Sequence, residues 1–135
     1  MDDRAVQRFL AELIGRPMRY GIDDCLLSAA DLSMLLTGCD PIATIRGRWI
    51  DRSSALEFER GLAGGTRREK AQALAQMLGL MALEPATAPC GALGLVAGER
   101  REVAACRFIG GWFARSASGF SVQQKAVLAW SFASF

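Results

Sequence analysis

The sequence predicts an α+β domain, with helices in its first half packed on a small antiparallel sheet built from its second. Apolar residues recur at helical spacing as far as about residue 78, and beyond Pro85 they gather in short runs broken by glycine and charge. The length supports a single domain over residues 1–135: a chain of this size with 51% apolar residues buries roughly 70% of the surface its unfolded form exposes, and needs no disulfide or metal staple.

The first helix is marked by Val6, Phe9, Leu10, Leu13 and Ile14, and Gly15-Arg16-Pro17 ends it as a glycine C-cap followed by proline does. Asp23 or Asp24 is a natural N-cap for a second helix from about Cys25 to Thr37, apolar on most sides and stopped by Gly38. The stretch from Asp40-Pro41 through Trp49 has no clean period and reads as an irregular connection or a single turn of helix. Ser54 with Glu57 and Thr66 with Glu69 read as capping boxes of two further helices, separated by Gly64-Gly65. Strands are expected near Ala92–Val96, Val103–Ile109, Trp112–Arg115 and Gly119–Val122, with turns at Gly98–Arg101 and Gly110-Gly111. Residues 123–135 read as a short helix or a last strand, with Trp130 in the core and the surroundings of Phe132 and Phe135 open between core and docking surface.

Composition excludes more chemistry than it suggests. The chain has no histidine, so it supplies no Ser-His or Cys-His pair, no imidazole metal ligand and no histidine pH switch. Cys25, Cys39, Cys90 and Cys106 form no C-x-x-C, and the expectation is four free, mostly buried thiols with no metal and no cofactor. A net charge of +2 is far from the basic stripe that nucleic acids require. The start Met1-Asp2-Asp3-Arg4 lacks the order of a signal peptide, and no apolar run approaches membrane-spanning length, so the expected chain is cytoplasmic at synthesis.

Among candidate functional residues Cys25 stands first, because a helix N-terminus stabilises a thiolate. The neighbouring carboxylate Asp24 opposes that effect, as does burial, and a core cysteine is the plainer reading. Arg46, Arg48 and Arg52 beside Trp49 offer a cation–π or anion-binding patch, against the simpler alternative of a solvated loop anchored by one buried tryptophan. Arg67-Arg68-Glu69-Lys70 reads as the exposed first turn of a helix.

The segment Tyr20-Gly21-Ile22-Asp23-Asp24-Cys25, opening an amphipathic helix ahead of a small sheet, resembles the NlpC-type cell-wall peptidases, which are papain-like cysteine peptidases. With Arg16-Pro17, Ala29-Ala30-Asp31, Thr37-Gly38-Cys39-Asp40-Pro41 and Arg46-Gly47-Arg48-Trp49, the chain is similar to an uncharacterised branch of that superfamily associated with phages, prophages and gene-transfer agents. Pro89-Cys90-Gly91-Ala92-Leu93 and Phe108-Ile109-Gly110 echo its strand-and-turn pattern. The resemblance puts Cys25 at the nucleophile position and Ala104, or its immediate neighbour, where active members carry the catalytic histidine. The family's glycine-aspartate at the first strand is Gly91-Ala92 here.

What the resemblance implies is a peptidase fold without its base, acting as a binding or assembly module for a protein or peptide partner, in a tail-assembly setting and incorporated into a phage-like particle. Cys25, Asp24, Ala104, Tyr20, Arg46, Arg48 and Trp49 are then the residues of interest. The alternatives are an active cysteine hydrolase on cell-wall peptides, in which Cys25 works with a base other than histidine, and a domain whose cleft has filled with side chains. The geometric expectation is that the strand carrying Ala104 comes within side-chain reach of Cys25.

Overall fold

A computed structural model describes residues 3–132. Four helices precede the sheet: α1 (Asp3–Leu13), α2 (Cys25–Thr37), α3 (Arg52–Arg60) and α4 (Arg67–Met77). The strands are β1 (Leu80–Leu83), β2 (Leu93–Ala97), β3 (Glu102–Phe108), β4 (Gly111–Ser116), β5 (Gly119–Gln123) and β6 (Leu128–Phe132), with a 3-10 turn at Pro85–Thr87. They form one antiparallel sheet in the order β1-β6-β2-β3-β4-β5, so the last strand lies between the first two. The α+β expectation holds.

Alternation along the strands divides the buried residues between two faces. Leu93, Cys106, Phe108 and Phe113 join the main core beneath α2, whose Leu27, Ala29, Ala30 and Leu32 are buried against them. Leu95 and Trp130 pack with Ala75 of α4. On the other face Ala105, Ala114 and Ala129 surround Trp112, which is almost wholly enclosed. Small residues are required there: a Cβ on Gly94 would meet the Trp112 ring at 2.5 Å.

The elements differ from expectation at three points, while the C-terminal segment takes the strand alternative. The cap of α3 is Asp51, whose carboxylate accepts from Ser54 N at 2.9 Å, while Asp51 N donates to Ser54 Oγ. The capping box is therefore Asp51 with Ser54, three residues earlier than a Ser54–Glu57 box; the Thr66–Glu69 box of α4 is present. Strand β1 was not anticipated, because Leu80–Leu83 follows the helix with no alternation of its own; Gly79, at φ +75°, makes the break. The β3–β4 hairpin turns at Ile109-Gly110, one residue before the anticipated glycine pair, and Gly111 opens β4 with φ +134°. The C-terminal segment is strand β6, with Trp130 in the core; Phe135 lies outside the described residues.

The cysteines also depart from expectation. All four are free, yet only Cys106 is buried; Cys25 is half-buried, and Cys39 and Cys90 are exposed in the loops after α2 and before β2. No helix among the described residues is long and apolar enough to cross a membrane.

Candidate functional site

The N-terminus of α2 is held by a dense set of bonds to one carboxylate. Asp24 Oδ1 accepts from Leu27 N at 3.0 Å as the helix cap, and Oδ2 accepts from Gly21 N at 2.9 Å and from the Trp49 indole Nε1 at 2.7 Å. With three donors the buried carboxylate is satisfied inside the protein, as a buried charge must be. Gly21 is fixed by the same arrangement: its φ is +80°, and a Cβ there would meet the Ile50 backbone at 2.7 Å. Trp49 thus serves as a hydrogen-bond donor to the cap, and its ring packs on Phe58 with centroids 5.0 Å apart.

Cys25 is the first residue of α2. Its Sγ lies 3.8 Å from Met18 Sδ and 3.6 Å from the Arg115 carbonyl oxygen. Burial pushes its thiol above the ordinary value and the Asp24 carboxylate pushes it further; Arg101, the helix-terminal backbone and Arg67 pull it back only in part. The dipole argument that favoured a thiolate is therefore outweighed by desolvation.

Arg115, buried on β4, is a feature the sequence did not disclose. Its Nε donates to the Asp23 carbonyl at 3.2 Å, Nη2 to the Arg16 carbonyl at 2.8 Å, and Nη1 to the Gly119 carbonyl at 2.6 Å. It thereby ties the loop leading into α2 to the β4–β5 hairpin. Asp23 faces it at 3.8 Å and also accepts from the backbone and side chain of Arg19. Partial burial raises the Asp23 carboxyl, but the Arg19 donors and the Arg115 and Arg19 charges outweigh it and hold it below the usual value.

Cys25 and Ala104 line the same open cleft, of about 200 Å³. Its walls come from the start of α2 (Asp24, Cys25, Leu26), from α3 and α4 (Phe58, Leu74) with the α4 C-cap Leu78, and from the sheet (Leu80, Leu93, Leu95, Ala104, Trp130). Tyr20 and Trp49 complete one side. Charged lining residues are Asp24, Glu59, Arg67, Lys70 and Arg101. Glu59 pairs with Arg67 at 2.9 Å, and Lys70 Nζ donates to the Leu62 carbonyl at 2.8 Å. Arg101 makes no side-chain hydrogen bond or ion pair among the described residues.

Of the anticipated site residues, Tyr20, Asp24, Cys25, Trp49 and Ala104 meet at this cleft; Arg46 and Arg48 do not line it. Arg46 instead bridges Asp31, at 2.7 Å, and Asp40, joining α2 to the following loop. Burial and the nearby acids leave the Asp31 carboxyl above its usual value despite that partner. Arg48 is exposed on the turn before Trp49. Conversely, Arg67 and Lys70, read from sequence as a solvated first turn, face the cleft because α4 lies over β1 and β2; only their one-turn spacing hinted at a shared face. No group of acids and cysteines among the described residues is arranged to hold a metal.

No curated protein and no solved structure matches the chain. One family model does, over residues 1–132, nearly the whole length, and it is described as a domain of unknown function, DUF6950. A chain whose fold and cleft both fall inside that span is a member of the DUF6950 family.

Proposed function

We propose that this chain is a catalytically silent module of papain-like, NlpC-type character whose cleft holds a segment of a partner protein. The observation that carries the reading is the cleft shared by Cys25 and Ala104: the resemblance calls for an imidazole at a position occupied by a methyl group. No lining side chain replaces it. Asp24 is committed to three N–H donors and Glu59 to Arg67, and a carboxylate is by nature a far weaker base than a thiolate. The raised thiol of Cys25 supports the same reading, since the thiolate is the nucleophile.

An open, largely apolar cleft favours binding over a domain whose groove has closed on its own side chains. A net charge near zero favours a protein partner over a nucleic acid. The resemblance assigns that partner to a tail-assembly or gene-transfer-agent particle. Alkylation with iodoacetamide at pH 7.5, followed residue by residue by mass spectrometry, tests the silent-enzyme reading. The expected result is that Cys25 reacts more slowly than the exposed Cys39 and Cys90; a Cys25 rate well above both would establish the hydrolase alternative instead.

A further inference from the structure

We infer that the cleft selects an acidic partner segment, one that inserts a single large apolar side chain between α4 and the sheet and sets a carboxylate beside it against Arg101. The inference rests on the reading of the cleft as a binding site and adds what it binds. Size limits the apolar part. An aliphatic cavity of about 150 Å³ holds a benzene ring, so a cleft of about 200 Å³ accommodates one phenylalanine- or leucine-sized group.

Charge sets the rest. Of the three cations at the cleft, Arg67 is neutralised by Glu59, whereas Lys70 contacts only a carbonyl and Arg101 has no partner among the described residues. Asp24, the other lining acid, is enclosed by its own donors. The next acid along β3, Glu102, does not compensate Arg101, because it forms a two-pronged pair with Arg68 at 2.8 and 3.0 Å. The mouth of an apolar cleft thus carries uncompensated positive charge on a guanidinium free to take a carboxylate bidentately.

The test is titration calorimetry with two capped tetrapeptides of equal shape, N-acetyl-Leu-Phe-Glu-Asp-amide and N-acetyl-Leu-Phe-Gln-Asn-amide. The acidic peptide is expected to bind about tenfold more tightly, with the gap narrowing as salt rises. Arg101→Gln, an exposed change that leaves the thermal transition in place, is expected to erase the gap. Ala104→Trp is expected to block both peptides by filling the cleft. Equal affinity for the two peptides, or a gap that survives Arg101→Gln, overturns the charge assignment while leaving a binding cleft; failure of both peptides to bind overturns the cleft reading itself. Displacement of the acidic peptide by dodecanoate more readily than by itself would make a long-chain anion the occupant and overturn the inference.

Discussion

The Trp49 indole donates a hydrogen bond of 2.7 Å to Asp24 Oδ2, so a residue in the loop before α3 helps hold the cap of α2. Trp49→Phe keeps the ring's packing on Phe58 and removes only the donor. A hydrogen bond to a charged group contributes about 2 kcal/mol, which for a domain of this size lowers the melting temperature by roughly 5–10 °C. A melting curve checks this; an unchanged midpoint would show that the carboxylate finds an equal donor elsewhere.

Asp24 and Arg101 act on the Cys25 thiol with opposite signs. Removing the negative charge by Asp24→Asn, a substitution that keeps a good helix cap, lowers the thiol's pKa and speeds its alkylation at fixed pH. Arg101→Gln raises the pKa and slows it. Rate against pH for each variant reads both effects, and shifts in the same direction would contradict this electrostatic account.

Ala104→His would return an imidazole to the cleft that Cys25 lines. The expected outcome is a pH profile of Cys25 alkylation moved toward neutrality, since an imidazolium favours the thiolate. Ala104→Asn, polar but without basicity, serves as the control and should leave the profile where it was. A profile unaltered by histidine would mean that residue 104 does not reach the sulfur.

Arg115 holds four backbone carbonyls, those of Arg16, Asp23, Ser116 and Gly119. Arg115→Met fills similar volume but strands those acceptors and leaves Asp23 without its buried partner. The expected loss is about 3–5 kcal/mol, the range for breaking a buried pair on one side, read as a lower urea midpoint. Arg115→Lys recovers only part of it, because an ammonium cannot span all four carbonyls.

Asp23 gives the stability a defined acid limit. Its carboxyl is held below the usual value in the folded chain, so the folded state binds its proton less readily than the unfolded one. The stabilisation is complete above the ordinary carboxylate range, and is lost as pH falls from that range through the lower folded value. Urea midpoints from pH 6 down to pH 2.5 should fall less steeply for Asp23→Asn than for the parent chain.

The main helices and the inner strands could be read from sequence because each carries its own pattern: Asp24 before an apolar run, Thr66 with Glu69, and short apolar segments between glycines. Local pattern fails where structure is set by distant partners. Leu80–Leu83 is a strand only because β6 pairs with it, Leu80 opposite Phe132 and Leu83 opposite Ala129. Arg115 sits among apolar neighbours in β4, and its partners at Arg16 and Asp23 are about ninety residues away in the chain. The cleft was legible through Cys25 and Ala104, but its cationic mouth was not, since Arg67, Lys70 and Arg101 come together only after α4 is laid across the sheet.

The place of β6 in the sheet also fixes the order in which this fold can be assembled. Leu93–Leu95 and Leu80–Leu83 both wait for residues 128–132, and Trp130, a wall of the cleft, arrives on that same strand. A nascent chain that has emerged as far as β5 has its α2 core and Cys25 in place, yet carries two unpaired strand edges and an incomplete cleft. A cleft with all its walls therefore forms only once residues 128–132 are in place, and a chain that stops short of Leu128 is exposed to edge-to-edge aggregation.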